Sequence, residues 1–292
     1  MNHFFSQSQA HIFEPAQKYI CTSHLFVPVP YFYILFRVFN NLDDSKSIFL
    51  DKIYISRRII FLMEKRVVVI SLGGSLIVPE KPNFKFLEKF KKELRKNYKK
   101  FKFVVVCGGG SIARKYISIL KHDKKSSKEE ALAGIRATRM NALLLMQLFG
   151  KKEANDSLPM NMKQVKSNLK KNNVVFCGAL RYAEKATSDT TAAKLAHFLN
   201  CDFINITNVK GLYTDNPYTN PKAKFIAHES WKDFEKRALK RKYHAGQHFV
   251  LDQEAAVIIR KFKIRTYIIG QDTRNITKIL EGKKFVGTSI FG

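Results

Sequence analysis

Acidic residues are in short supply in this sequence. Its 292 residues carry 24 Asp+Glu against 52 Lys+Arg, a formal charge of +28. That imbalance disfavours cationic partners and favours anionic ones: phosphates, nucleic acid or acidic lipid. Much of the excess is lysine in short runs such as "KFLEKFKKELRKNYKK" (85–100), where apolar residues recur at helical spacing and lysine faces water. No alternation of aromatic and basic residues accompanies the run, so nucleic acid is not the expected partner. Cysteine is scarce too. Cys21, Cys107, Cys177 and Cys201 form no C-x-x-C pair, which argues against a disulfide scaffold or a zinc ribbon. Two of them follow apolar runs, as small hydrophobes do, and a reducing, cytoplasmic setting is expected. The eight histidines show no H-E-x-x-H, so no protein-built metal site is expected. Long apolar runs are missing as well. The stretch "LFVPVPYFYILFRVF" (25–39) is broken by Pro28, Pro30 and Arg37 and is too short to span a bilayer.

That stretch belongs to a segment unlike the rest. Residues 1–62 hold six Lys+Arg and four Asp+Glu, so only +2 of the total charge. No basic region opens the chain and no small-residue cleavage site follows the apolar run, which argues against a secretory signal. At Met63 begins "MEKRVVVISLGGS": a methionine, a few charged residues, then a buried strand, the arrangement of an ordinary protein start. The expected division is an N-terminal extension over 1–62, disordered or upstream of the true start, and one domain over 63–292. A docking or membrane-touching extension is the alternative.

From Met63 onward strands and helices alternate. Buried-strand runs are expected at 66–72, 101–107, 173–178, 201–207 and 264–270. Helical patterns lie at 84–99, from about 111, at 188–200, and near 229–241 and 252–262. Ser126 and Glu129 have capping-box spacing ahead of the long helical pattern "EALAGIRATRMNALLLMQLF". Continuous apolar strands separated by helices predict a three-layer α/β/α sandwich around a mostly parallel sheet. Ligands of such sheets sit beyond the carboxyl ends of the strands. Small and polar clusters fall there: Gly73-Gly74-Ser75, Gly108-Gly109-Gly110, Thr187-Ser188-Asp189 and Thr207-Asn208.

A glycine-rich strand-to-helix turn presents backbone N–H groups and the positive end of a helix dipole, which suits phosphate oxygens. On this reading a phosphate or nucleotide edge lies against Gly108–Gly110, where side chains would block it. The sequence has no G-x-x-x-x-G-K-[ST] loop. Gly108-x-Gly110-x-x-Ala113 does satisfy the loose dinucleotide fingerprint, but Glu129 and Glu130, at the right distance, follow no strand. Phosphoryl transfer fits better, because it demands in-line positioning and neutralisation of charge. Arg114 and Arg139 are candidate cations for that task. Arg114 also reads as a helix-surface charge, and Asp189 as a helix-terminal one.

The motifs "VISLGGSLIVP", "VVVCGGGSIARKYI", "GIRATRMNALLL", "TSDTTAAKLAHFL", "ITNVKGLYTDNP" and "VLDQEAA", in this order, resemble those of the amino-acid-kinase superfamily and within it the archaeal-type uridylate (UMP) kinases. The likeness runs from Arg66 to about Ile290. It implies transfer of the ATP γ-phosphate to UMP, with Mg²⁺ arriving on the nucleotide and a homo-oligomer, often a hexamer. It implies ATP contacts at Gly74, Ser75, Gly110, Arg114, Thr207, Tyr213 and Asn216. It implies UMP contacts at Gly109, Glu130, Ala186, Thr187 and Ser188, with Arg114 and Asp189 at the transfer site. Three departures stand out. Ala131 occupies the position of the family's ribose-binding acid, so Glu130 is the substitute. The acceptor loop is "ALRYAEKA" (179–186) instead of a Gly-Pro-Gly type turn, and Ser71 stands where many members place Lys or Asp. These leave two rivals: a relative phosphorylating isopentenyl phosphate or a small carboxylic acid, and a non-catalytic nucleotide- or RNA-binding protein.

Overall fold

The computed structural model describes residues 65–80, 83–182, 186–240 and 250–292, together with an antiparallel hairpin of β1 (Tyr19–Thr22) and β2 (Leu25–Pro28). The chain divides into two units, Met1–Glu64 and Lys65–Gly292. Apart from that hairpin, the expectations for residues 1–62 lie outside the described residues.

The second unit is built on a seven-stranded sheet. Its members in chain order are β3 (Arg66–Leu72), β4 (Phe101–Cys107), β5 (Val174–Cys177), β6 (Asp202–Ile206), β9 (His228–Glu229), β10 (Thr266–Ile269) and β11 (Gly287–Ile290). They lie in the order β5-β4-β3-β6-β10-β11-β9. The first five are parallel, β11 pairs antiparallel with β10, and β9 runs parallel to β11. A small hairpin of β7 (Leu212–Tyr213) and β8 (Phe225–Ile226) stands apart.

The strands alternate their side chains between two apolar layers, which is why they read as unbroken hydrophobic runs. Val68, Ile70 and Leu72 enter one layer, with α2 (Phe84–Asn97) and α4 (Ser127–Phe149). Val69 enters the other, with α5 (Met162–Lys171), α6 (Ser188–Leu199), α7 (Trp231–Leu239) and α8 (Gln253–Lys261). Two short helices, α1 (Gly74–Ile77) and α9 (Arg274–Leu280), add to the first layer, and α3 (Gly110–His122) follows β4. This is the three-layer sandwich the sequence predicts.

Local chemistry sets the helix limits. The α4 capping box forms as its spacing predicts: the Ser126 side chain accepts from Glu129 N–H, and the Glu129 carboxylate accepts from Ser126 N–H at 3.0 Å. In α2, Asn83 caps the first turn, and Phe86, Leu87, Phe90 and Leu94 form the buried stripe while the lysines face out. The helix at α5 goes unread in the sequence because only Val165 and Leu169 mark its buried side. The strand β11, "GTSI", carries no apolar run, and its pairing with β10 and β9 decides it.

Phe90 is fully buried, its ring 6.1 Å from Phe86 and 6.4 Å from Phe149. Truncation there leaves a cavity the sandwich cannot close. Phe90→Ala is expected to cost about 3–5 kcal/mol in urea unfolding; a loss below about 1 kcal/mol would show that the first layer repacks freely.

Candidate functional site

The two glycine turns meet each other. After β3, Gly73 N–H donates to Ile206 O at 3.0 Å; after β4, Gly108 N–H donates to Leu72 O at 2.9 Å. A Cβ on Gly74 would lie 2.2 Å from Gly110 N and 2.5 Å from Gly108 O. Gly110 has φ +62°, and its Cβ would lie 2.5 Å from the Gly74 carbonyl carbon. From the sequence these glycines read either as tight turns or as room for a ligand edge. In the structure side chains are excluded at Gly74 and Gly110 first of all because two backbones touch. That contact places the amide groups of both turns side by side.

These turns form one wall of a cavity of about 310 Å³. Gly109 and Gly110 bring the start of α3 to it; Thr187, Ser188 and Asp189 bring the start of α6; Asp252 and Gln253 bring the start of α8. Three helix N-termini on one space create a region of positive potential without needing buried lysine. Arg114, exposed one turn into α3, adds a full charge at the same cavity, and Thr207 lines it just past β6. The arrangement is suited to a polyanion.

Asp252 joins two of those helices. It caps α8 by accepting from Ala255 N–H at 2.7 Å. It also accepts from the Thr187 hydroxyl, from Thr190 Oγ1 at 2.8 Å and from Thr190 N–H at 3.1 Å. Thr187 in turn caps α6, accepting from Asp189 N–H at 3.0 Å. Asp189 Oδ1 accepts from Ser71 Oγ at 2.6 Å. Desolvation, with the Asp252 charge nearby and the Ser71 bond opposing, pushes the Asp189 carboxyl up to about 7.

Of the residues named from the sequence, Gly74, Ser75, Gly109, Gly110, Arg114, Thr187, Ser188, Asp189 and Thr207 line this one cavity. Four do not. Glu130 sits in the first turn of α4, one turn before Gly134, whose carbonyl lies against Gly109. Ala186 directly precedes Thr187, beyond residues 183–185, which are not described. Tyr213 is on β7 with its ring 5.5 Å from Phe225. Asn216 lies in the following turn and accepts from Tyr218 N–H at 3.0 Å; the Tyr218 hydroxyl donates to Asn208 O, beside Thr207, at 3.1 Å. Arg139, considered as a cation for phosphate, donates to the carbonyls of Ala179 and Leu180 and does not line the cavity. Two residues lining the cavity, Asn205 and Asp252, were missed in the sequence, and Ser71, which holds Asp189, was noted there only as a departure from the family pattern. Ser71 and Asn205 are polar positions inside apolar strand runs, and Asp252 has cap chemistry ahead of a helical pattern, so each had a local signal but no stated partner.

Comparison with known proteins follows the same outline. Residues 66–270 match the profile of the amino acid kinase family. The uridylate kinase of Pyrococcus abyssi is 33% identical over 218 residues, which cover 74% of this chain and 96% of that protein. That of Archaeoglobus fulgidus is 34% identical over 224 residues, covering 76% and 99%. The crystal structure of the Archaeoglobus fulgidus uridylate kinase superposes with a TM-score of 0.67 at 33% identity, covering 76% of this chain and 99% of that one. The UMP kinase structure from Ureaplasma parvum, at 22% identity and a TM-score of 0.64, shares the fold.

The raised Asp189 pKa sets a sign. An unfolded Asp titrates at about 3.9, so the folded chain disfavours the ionised form. Asp189's contribution is most favourable below that value and is lost as pH rises through about 7. Asp189→Asn is therefore expected to stabilise the ligand-free protein. The gain should be small at pH 4, grow up to pH 7 and stay level above, on the order of 1–2 kcal/mol once solvent access from the cavity is allowed for. Thermal unfolding of both proteins across that range checks it; a gain that shrinks with rising pH would contradict the assignment.

Proposed function

Because the chain belongs to the amino acid kinase family, we propose that it transfers the γ-phosphoryl group of ATP to UMP, giving ADP and UDP. The observation that carries this reading is the single cavity onto which two glycine turns, three helix N-termini and Arg114 converge. The naming of its relatives as uridylate kinases supports UMP as the acceptor.

A phosphate oxygen of UMP attacks the γ-phosphorus, the bond from that phosphorus to the bridging β-oxygen breaks, and the electron pair leaves with ADP. The protein's share is positioning and neutralisation of charge. ATP phosphates lie along Gly74, Ser75 and Gly110, with Thr207 and the segment around Tyr213 and Asn216 toward the nucleoside. UMP lies against Gly109, Thr187 and Ser188, with Ala186 and Glu130 on the approach. Arg114 offsets charge on the transferring group, and Asp189 faces it from the α6 terminus. A desolvated carboxylate with a raised pKa favours a cation in front of it, so Mg²⁺ arriving on ATP fits beside Asp189. When bound, that ion withdraws charge from the β- and γ-phosphates. A cytoplasmic setting fits the free thiols of Cys107, Cys177 and Cys201.

Self-association is also proposed, through the outer face of α4. Met140, Leu143, Leu144 and Leu148 form an exposed apolar stripe there, and residues 140–149 carry no charge in a chain of +28. Two copies of so basic a chain repel one another least where charge is absent, so the fitting occupant is a second copy. Leu144→Lys is expected to lower the mass measured by light scattering; an unchanged mass would remove this face from the assembly.

The decisive assay is ADP release with Mg-ATP and, in turn, UMP, CMP, AMP, GMP and isopentenyl phosphate. Turnover with UMP above the others is expected, and ATP binding without UMP turnover would overturn the acceptor. In the same assay Arg114→Ala is expected to lower kcat about 10²-fold. Its Tm should move by less than ~2 °C, as for an exposed side chain. Undiminished turnover would remove Arg114 from the transfer site.

A further inference from the structure

One turn of α4 holds both sides of the cleft. Asn141, 2% exposed, donates from Nδ2 to Gly108 O at 2.7 Å, the carbonyl that opens the triple-glycine turn. Three residues earlier, Thr138 Oγ1 accepts from Ala179 N–H at 2.9 Å while donating to Ile135 O at 2.7 Å. Between them, Arg139 donates from Nε to Ala179 O at 3.2 Å and from Nη2 to Leu180 O at 2.8 Å. Both backbone polar groups of Ala179 are thus held by α4. Gly178 lets the strand end come this close: a Cβ there would lie 2.5 Å from Thr138 Oγ1 and 2.6 Å from Arg139 N. Ala179 and Leu180 open the loop that leads to Thr187 and the start of α6.

We propose that Thr138, Arg139 and Asn141 form a positioning strut, which fixes the origin of the acceptor loop relative to the phosphate-binding turn and so sets the affinity for the acceptor. The proposal rests on the reading of residues 179–186 as the acceptor loop. Thr138 and Asn141, three apart, share a face of the helix, and Arg139 stands on the same rigid turn, so a displacement of Gly108 moves all three together. The guanidinium is planar and presents its donors at fixed angles, so two consecutive carbonyls are held in one orientation; a lysine ammonium cannot do this. Arg139 loses hydration in this position and has Arg136 nearby, and both lower its proton affinity. The groups it engages are the two carbonyls of Ala179 and Leu180. An arginine spent in this way, outside the cavity, is accounted for by what it holds in place.

Two readouts test the strut. In steady-state kinetics Arg139→Lys is expected to raise the KM for UMP roughly tenfold while the KM for ATP stays within about twofold, since only the loop is displaced. In hydrogen exchange of the full chain, ATP alone is expected to slow exchange over residues 179–182 in the wild type. That protection should be lost in Arg139→Lys although ATP still binds. Thr138→Val, which keeps the shape and removes the acceptor for Ala179 N–H, serves as the second variant should Arg139→Lys fail to fold, and the same loss is expected. Equal rises in both KM values, or ATP-induced protection that survives in the variants, would overturn the strut and leave α4 a plain structural brace. A wild type that protects residues 179–182 on ATP binding but does not turn over UMP would overturn the assigned acceptor and leave the strut standing.

Discussion

The contact of Gly74 with Gly108–Gly110 is the constraint on which the site depends. Two parallel strands, β3 and β4, end in register, and their chains must turn away through the same small space. Only backbones without side chains fit when a Cβ would meet main-chain atoms at 2.2–2.5 Å. Main chain cannot swing aside as a long side chain can, so the fit is strict. The consequence is chemical as well as steric. Two turns pressed together present their amide groups to the same cavity, at the start of α3.

Around that contact the polar groups fall into a hierarchy. Asn141 holds Gly108, Ser71 holds Asp189, and Asp252 holds the termini of α6 and α8 together. Each is a buried or part-buried polar group whose desolvation is offset by a directed hydrogen bond. This basic chain leaves nearly all of its described Lys and Arg residues at the surface and lines the cavity largely with amides and helix termini. Fixed dipoles of this kind need no reorganisation when charge develops on a transferring phosphoryl group.

Asp189 shows how environment decides what a residue is. In the sequence it is one acid at a helix start, and such a residue ordinarily stays ionised. Here burial and the neighbouring Asp252 carboxylate push its pKa up to about 7, and the Ser71 hydroxyl recovers only part of the loss. A carboxyl group in that condition favours positive charge beside it, and Arg114 lines the same cavity.

The strand runs, the glycine turns, the α4 capping box and the polar clusters at the strand ends were all legible in the sequence, because each is written in adjacent residues: apolar continuity, absence of side chains, Ser and Glu three apart. The sequence thereby determined the layered fold and named most of the residues that line the cavity. The tertiary structure alone decided what lies opposite what. Gly74 touches Gly110 across 36 positions of sequence, Ser71 reaches Asp189 across 118, and Thr187 reaches Asp252 across 65. No local pattern encodes such pairs, since they follow from strand order and from which faces of the helices pack on the sheet. For the same reason Arg139 could be read in the sequence only as a positive charge, and the folded chain commits it to two carbonyls.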